Sequence, residues 1–167
     1  MTPLPTHKIV SAERTVTTDT SDAAGDNIQY SIEHQNLSNT AVTQPAPRDG
    51  KYNHKDMRCK NITNCTLTLL DVYGCVRLQN LKNCTIYLGC VTGPLYVESV
   101  TKCKIFGASR QLRIHDTFET EFYMQTASGP IIENCKGLGF ARDVIDYEGK
   151  VSPESQGSAN RGEWRGT

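Results

Sequence analysis

The residues with the clearest chemical potential are concentrated in one short segment, SRQLRIH, which runs from Ser109 to His115. It contains two arginines and a glutamine beside the histidine, namely Arg110, Gln111 and Arg113. Arginine is ionised at any physiological pH, and its planar guanidinium presents several donors in a fixed geometry. Mixed polar and basic residues also form ordinary solvated surfaces. Composition alone therefore leaves two interpretations of this segment, a functional arginine-bearing face and a solvated face.

Seven cysteines are the other candidate reactive groups, and their spacing argues against a metal centre. No C-x-x-C pair occurs, so the usual spacing of a zinc site is missing. Without a secretion signal, structural disulfides are not expected, and the triplets at Asn61, Asn64 and Asn83 are chance matches to the glycosylation sequon. Cysteine is among the most often buried residue types, so free buried thiols are favoured over a metal site. The cysteines are Cys59, Cys65, Cys75, Cys84, Cys90, Cys103 and Cys135.

Length and charge limit the classes of protein to which the chain can belong. Its 167 residues suffice for one domain with flanking tails, and 18 Lys and Arg residues balance 18 Asp and Glu residues. That balance provides no overall basic field for nucleic acid or an anionic membrane. The chain lacks an apolar run long enough for a signal peptide or a membrane span, and Thr2 after Met1 excludes N-myristoylation. We expect a soluble, monomeric, cytoplasmic protein that neither binds nucleic acid nor inserts into a membrane.

Composition divides the chain into three regions. Residues 1–50 are rich in polar residues and proline and are predicted to be a disordered or loosely attached leader. An apolar alternation at residues 28–32 would suit one short strand within that leader. Residues 150–167 are again polar and are predicted to be a tail. The folded region is therefore expected at residues 51–149.

The folded region contains an internal repeat. Cys65, Cys84 and Cys103 are spaced by 19 residues, and Phe122 takes the fourth position in that series. Apolar residues alternate with period two in each unit, which is typical of strands and not of a helix face. Short strands in a fixed unit cannot bury their inner faces alone, whereas stacking of successive units buries them. We predict an all-β fold, a parallel β-helix of about 19 residues per coil with three short strands per turn and the cysteines in one column.

The repeat also predicts which side chains of SRQLRIH face solvent. Alternation places Gln111, Arg113 and His115 outward and places Leu112 and Ile114 in the core. Alignment by 19 residues predicts the columns Cys75–Pro94–Arg113 and Arg77–Tyr96–His115 outside and Val76–Leu95–Ile114 inside. The resulting polar face is predicted to consist of Arg77, Tyr96, Gln111, Arg113 and His115.

Three motifs give the chain a resemblance to a known family. They are NCTIYLG, QLRIH and GPIIENC, which begin at Asn83, Gln111 and Gly129. Together they resemble the tubulin-binding cofactor C domain, whose family also includes the retinitis pigmentosa-associated protein that acts on Arf-like GTPases. The most specific pieces are Q-x-R and P-I-I-E. The resemblance covers about residues 51–142 and implies a right-handed parallel β-helix, in agreement with the repeat.

The resemblance implies GTPase activation. In this family the arginine of Q-x-R enters the nucleotide site of a partner GTPase as an arginine finger, and that residue is Arg113 here. Gln111 corresponds to the family glutamine that assists at the same site. Glu133 corresponds to an acidic residue that steadies the arginine or the contact surface, but the repeat does not set its direction. No cofactor is expected in the protein itself, because GTP and Mg²⁺ belong to the partner. Further contacts to the partner are expected from Arg77, Tyr96, Arg110 and His115.

Two partners are compatible with Arg113, namely β-tubulin acting with other tubulin-folding cofactors and an Arf-like GTPase. The absence of a lipidation signal and of a kinase-like domain favours the tubulin pathway and a cytoskeleton-associated location. A non-catalytic cytoskeletal scaffold is the alternative from another class, since some relatives with this fold lack the finger. A polysaccharide lyase is disfavoured because the outward positions offer no carboxylate cluster. Arg110 stands where many relatives have another glutamine, and its charge is expected to affect the choice of partner.

Overall fold

The fold consists of strands throughout the part of the chain that the structure describes. The computed structural model describes residues 30–143, 145–152 and 165–166. These ranges contain eleven strands and no helix, and therefore no helix able to cross a membrane. The strands are β1 (Ile32–Ser38), β2 (Ala41–Gln44), β3 (Lys55–Thr63), β4 (Thr66–Leu69), β5 (Tyr73–Lys82), β6 (Thr85–Thr101), β7 (Lys104–His115), β8 (Glu121–Thr126), β9 (Ile131–Glu133), β10 (Gly139–Ala141) and β11 (Arg165–Gly166).

Successive strands pair in parallel and form a β-helix of about five turns. Strand β6 illustrates how one coil is built, because it extends over 17 residues and pairs with β5 on one side and β7 on the other. Its pairing with β7 falls into three stretches, which are separated by register shifts at the corners of the coil. The predicted parallel β-helix is confirmed. In this coil the three short strands are joined into one continuous strand.

Alternation along the strands determines which side chains fill the interior. In β7 the inward residues Leu112 and Ile114 are at most 1% exposed, while the residues beside them are exposed. Each inward residue packs on its register partners in the neighbouring coils, and Leu78, Val97 and Ile114 form one such column. A single coil cannot bury these side chains, so the core depends on stacking, as the repeat predicts.

The coil shortens between β6 and β7, and this corrects the register expected from the sequence. Val97 pairs with Ile114, 17 residues later, whereas a constant repeat of 19 would pair Leu95 with Ile114. One residue is lost at each of two corners, at the register shifts that follow Tyr87 and Val91. The total loss is two residues, an even number, so the alternation of inward and outward positions along β7 is preserved. Only the β6 residue with which each β7 residue pairs is changed. The predicted column that joins Leu95 to Ile114 is therefore wrong.

Three cysteines form a buried column, as predicted, but its fourth member is a threonine. Cys65, Cys84 and Cys103 are at most 3% exposed, and each thiol donates to the carbonyl of the residue two positions earlier. The shortened coil places Thr120 next, and its hydroxyl accepts a hydrogen bond from the Cys103 amide at 3.4 Å. The predicted fourth member, Phe122, belongs to a neighbouring column. The next member of the column after Cys103 is therefore Thr120, a small side chain that can hydrogen-bond to the backbone.

The other cysteines are also free thiols, two of them less deeply buried. Burial raises the pKa of Cys59 and of Cys90 to about 12, so both stay protonated at neutral pH. Cys75 and Cys135 are half-buried. Within residues 30–143 and the shorter described stretches, no group of three or more His, Cys, Asp or Glu side chains is arranged to hold a metal ion.

Asparagines occupy corners of the coil. Asn61 and Asn80 at one corner, and Asn64 and Asn83 at the next, have φ between 52° and 57°. Asparagine tolerates this left-handed conformation better than most residues do. The side-chain amide of Asn80 donates to that of Asn61 at 2.7 Å, and Asn83 donates to Asn64 at 3.2 Å. The Asn-X-Thr triplets therefore mark corners that carry an asparagine ladder, a role that the sequence analysis missed.

The β-helix begins before residue 51, where the sequence analysis places the start of the folded region. Strands β1 and β2 pair in parallel with β3 and β4 and form an additional coil. Ile32 and Val42 of this coil are buried in the core. Of the expected leader, residues 30–50 thus belong to the fold, and residues 1–29 lie outside the described residues. The short strand expected at residues 28–32 corresponds to the start of β1 only at its last residue.

The C-terminal region returns to the coils. Tyr52 donates its hydroxyl to the carbonyl of Gly149 at 3.2 Å, which connects the segment after β10 to the loop before β3. Of the predicted polar tail at residues 150–167, the structure describes residues 150–152 and β11. Strand β11 pairs antiparallel with β8.

Candidate functional site

Strand β7 presents polar side chains on one face. Gln111, Arg113 and His115 are exposed, and they alternate with the buried residues Leu112 and Ile114. Their predicted facing is therefore confirmed. Consecutive outward residues on a strand lie roughly 6.5–7 Å apart, so Arg113 is flanked along its own strand by a polar side chain on each side.

The neighbouring coils place Arg113 between an aromatic and an aliphatic residue. Arg113 pairs with Tyr96 on β6 and with Ile131 on β9. The sequence analysis stacks His115 on Tyr96, which is wrong because the coil shortens by two residues before β7. His115 instead pairs with Glu98. The finger candidate itself, and not the histidine, therefore lies next to the tyrosine.

The predicted column of Cys75, Pro94 and Arg113 is wrong for the same reason. Pro94 pairs with Gln111. Gln111 therefore remains on the face, one outward position before Arg113, but it lies beside a proline. Cys75 lies two coils away from β7 and does not neighbour Arg113.

The arginine on the other side of Tyr96 is held by several contacts. Arg77 donates through Nη1 to Glu98 at 3.0 Å and through Nε to the hydroxyl of Tyr30 at 2.8 Å. Its guanidinium carbon lies 4.6 Å from the centre of the Tyr96 ring, within the range of a cation–π contact. The Arg77 side chain is 14% exposed. Arg77 is therefore engaged within the protein, and Tyr96 separates it from Arg113.

Glu133 joins the same face. Strand β9 pairs with β7 so that Glu133 lies beside His115, and a carboxylate oxygen is 2.7 Å from Nε2 of the histidine. The side-chain direction that the sequence left open is thus outward. Both side chains are about half exposed, so this pair contributes little to stability. The pair places the Glu133 carboxylate next to the strand that carries Arg113, with which β9 pairs through its backbone.

Arg113 differs from the other arginines of its column in having no partner among the described residues. Arg58 forms an ion pair with Glu33 at 2.6 Å, and Arg77 forms one with Glu98 at 3.0 Å. Arg113 is exposed and makes no hydrogen bond, ion pair or ring contact within the described part of the chain. Its guanidinium donors are therefore available to an anion that another molecule supplies.

Arg110 occupies the corner that precedes the face. One residue, Arg110, stands where the preceding coil has Thr92 and Gly93, because the register shifts there. The side chain is half-buried. It adds a second positive charge three residues before Arg113, at a point where the backbone changes direction.

Two residues of the face were missed from the sequence. Glu98 accepts hydrogen bonds from both Arg77 and Gln79, the latter at 2.9 Å. The outward position of Glu98 could have been predicted from the sequence, because Glu98 lies one 19-residue unit after the outward Gln79. Ile131 is 48% exposed beside Arg113. Its position could not be read from the repeat, because the last coils depart from the 19-residue spacing.

Comparison with known proteins assigns the chain to a family. The family described as Tubulin binding cofactor C matches residues 54–164. This chain belongs to the tubulin binding cofactor C family. The matched range contains every strand from β3 to β10 and all of the candidate site residues.

Individual relatives named as cofactor C match this chain over part of their own length. The tubulin-specific chaperone C of Mus musculus is 31% identical over 113 residues, which are 68% of this chain and 33% of the mouse protein. The tubulin-specific chaperone C of Homo sapiens is 31% identical over 100 residues, 60% of this chain and 29% of the human protein. The tubulin-folding cofactor C of Arabidopsis thaliana is 45% identical over 42 residues, 25% of this chain and 12% of the plant protein. The chain thus spans about a third or less of these cofactor C relatives.

Proposed function

We propose that this protein activates a GTPase in the tubulin-folding pathway by inserting Arg113 into the nucleotide site as an arginine finger. The partner is β-tubulin, acting with other tubulin-folding cofactors in the cytoplasm, and the GTP and Mg²⁺ are those of the partner. The observation that carries this proposal is the exposed guanidinium of Arg113, which has no carboxylate partner among the described residues. Membership of the tubulin binding cofactor C family supports the choice of pathway.

The chemistry of phosphoryl transfer explains why an arginine is suited to this role. In the transition state, negative charge is spread over the γ-phosphate oxygens, the attacking oxygen and the oxygen that bridges the β- and γ-phosphates. A guanidinium can donate to two of these oxygens at once, and it stays ionised when it leaves water. A lysine ammonium is a compact point charge without this fork. The proposal therefore assigns to Arg113 the stabilisation of charge that develops on the partner's nucleotide.

The β-helix holds the finger ready for insertion. Arg113 lies within β7, which pairs with β6 on one side and with β8 and β9 on the other. Leu112 and Ile114, on either side of it, are anchored in the core. A side chain that is presented by a rigid strand loses less conformational freedom on docking than one in a flexible loop.

Gln111 supports the finger from the same face. It is exposed, and it lies one outward position before Arg113 on β7. Its amide offers both a donor and an acceptor, which suits contact with the nucleotide or with the attacking water. We assign to it a secondary role in hydrolysis.

A GTP hydrolysis assay tests the proposal and separates the two partners. Purified αβ-tubulin with the other folding cofactors is incubated with GTP in the presence and absence of this protein, and an Arf-like GTPase is assayed in parallel. We expect stimulation in the tubulin reaction. Stimulation of the Arf-like GTPase alone would transfer the activity to that partner. If neither reaction is stimulated, the proposal is contradicted.

A trapping experiment complements the assay. GDP with aluminium fluoride imitates the phosphoryl group in transfer, so a partner bound in the presence of both should be retained more strongly than with GDP alone. We expect β-tubulin among the proteins retained in this way. Equal retention with and without aluminium fluoride would contradict insertion of Arg113 at the nucleotide.

A further inference from the structure

Strand β9 exposes two aliphatic side chains, and one of them, Ile131, lies beside the finger. Ile131 is 48% and Ile132 is 44% exposed, and with Phe118 at 38% they are the large hydrophobic residues exposed within the described residues. The repeat does not require an isoleucine at the outward position of Ile131. The preceding members of that outward column are Glu33, Arg58, Arg77, Tyr96 and Arg113. An aliphatic residue at the end of a polar and aromatic column calls for an explanation outside the core.

The position of Ile131 is fixed relative to Arg113. The two residues are register partners on adjacent strands, so their backbones are separated by roughly 4.8 Å. Two residues later on β9, Glu133 contacts His115 at 2.7 Å. The backbone pairing of β9 with β7 thus runs from Ile131 to Glu133, and Ile131 lies at the edge of the same face as the guanidinium.

The charges around Ile131 indicate what kind of surface it meets. The nearby carboxylates are already engaged, Glu98 by Arg77 and Glu133 by His115. Arg113 is left without a carboxylate partner among the described residues. An apolar residue beside an unneutralised cation complements an anionic pocket with an apolar rim, such as the phosphate end of an occupied nucleotide site.

A second copy of this chain fits the surface less well. A two-fold contact would place the same face against itself, so that two surfaces each carrying Arg110 and Arg113 would meet. Like charges in such a contact are repulsive, and the carboxylates that the described residues place on this face, Glu98 and Glu133, already have partners. The occupant indicated by the charges is therefore a different molecule that carries the anion.

We propose that Ile131 is the apolar anchor of the partner GTPase, packing on the rim of its nucleotide site while Arg113 enters the site. This inference rests on the proposed function and assigns partner binding and catalysis to two adjacent strands. Ile131 on β9 determines affinity, and Arg113 on β7 determines the rate of hydrolysis. The partner is thus expected to carry an apolar side chain next to its bound phosphates.

The test uses Ile131→Thr in the full chain. Threonine keeps the β-branched shape of the strand residue and removes most of the apolar surface. The rate of GTP hydrolysis by αβ-tubulin with the other cofactors is measured against the concentration of this protein. We expect the half-saturating concentration to rise roughly tenfold, the order given by loss of part of an isoleucine contact, with the maximal rate unchanged.

Phe118→Thr is the matched control. Phe118 is exposed to a similar extent but lies beyond the corner at Asp116, on the next side of the coil. It should change neither the half-saturating concentration nor the maximal rate. An unchanged half-saturating concentration for Ile131→Thr, a fall in its maximal rate, or an equal shift in Phe118→Thr would overturn the anchor.

Direct binding distinguishes failure of the anchor from failure of the proposed function. Retention of tubulin and its cofactors on each immobilised variant is measured together with hydrolysis. If Arg113→Ala loses hydrolysis and Ile131→Thr binds like the wild type, only the anchor is wrong. If Arg113→Ala hydrolyses like the wild type while Ile131→Thr loses binding, the finger is wrong and Ile131 anchors a partner without activating it. If the wild type neither binds nor stimulates, both are wrong.

Discussion

Arg77 and Arg113 are identical side chains in one outward column, yet their surroundings give them different roles. Arg77 is enclosed by Glu98, Tyr30 and the ring of Tyr96. Arg113 is exposed and has no partner within the described residues. The sequence predicted both on one outward face, Arg113 as the arginine finger and Arg77 as a further contact to the partner. The surroundings favour a structural role for Arg77 and leave Arg113 available for chemistry.

Replacement of Arg77 tests this division. Arg77→Ala should lower the free energy of unfolding by about 1–3 kcal/mol, because Glu98 and the Tyr30 hydroxyl lose a half-buried charged partner. Arg113→Ala should change it by no more than about 0.5 kcal/mol, as is usual for an exposed side chain without contacts. Urea unfolding of both variants measures the difference. Equal unfolding free energies would contradict the structural role of Arg77.

The coil corners belong to the scale of the element. Each coil must turn sharply between its sides, and at two corners asparagines adopt a left-handed backbone that is costly for most residues. Their side chains also bond to one another from coil to coil. The triplets dismissed as chance sequons therefore recur for a reason that is set by backbone geometry.

Substitutions at Asn80 separate the two contributions of the corner. Asn80→Gly keeps the left-handed backbone accessible and removes only the side-chain bond to Asn61, so it should destabilise the protein by less than about 1 kcal/mol. Asn80→Ala adds the cost of a left-handed residue with a β-carbon, about 1–2 kcal/mol more. Urea unfolding should give the order wild type, Gly, Ala. An alanine variant as stable as the glycine variant would contradict a conformational role for the corner.

For the whole molecule, the sequence predicted the stacked coils and the facing of β7 but not the pairing of its side chains. The alternation of buried Leu112 and Ile114 with polar residues determines which side chains of β7 face outward. This alternation is unaffected when two corners each lose one residue. Pairing depends on the number of residues at each corner, which a pattern of period two cannot count. The prediction therefore placed Arg113 correctly on the outer face and in the wrong column. The same limit hid Ile131.

The sequence did not predict the N-terminal coil, because that segment is mostly polar and contains few apolar residues. Those few, such as Ile32 and Val42, lie at buried positions. The coil formed by β1 and β2 covers Met57 and Cys59, which are fully buried. It also supplies Glu33, the ion-pair partner of Arg58, a residue that is itself largely buried. The boundary at residue 51 would therefore cut through the fold.

Truncation tests this view of the molecule. A chain that starts at residue 51 should be less stable than one that starts at residue 30 by about 3 kcal/mol or more, because at least two buried apolar side chains become exposed. Thermal and urea unfolding of the two chains provide the comparison. If both unfold at the same urea concentration, the first coil is not part of the cooperative core.

The central claim is that Arg113 accelerates hydrolysis on a partner. Its most direct test compares the wild type, Arg113→Ala and Arg113→Lys at saturating concentration in the tubulin reaction, after unfolding has shown that all three are equally stable. We expect Arg113→Ala to lose most of the stimulation, which for arginine fingers is about 10³–10⁵-fold. Arg113→Lys should restore little of it, and Gln111→Ala should have a smaller effect. Equal rates for Arg113→Ala and the wild type would contradict the account and leave SRQLRIH as a solvated face.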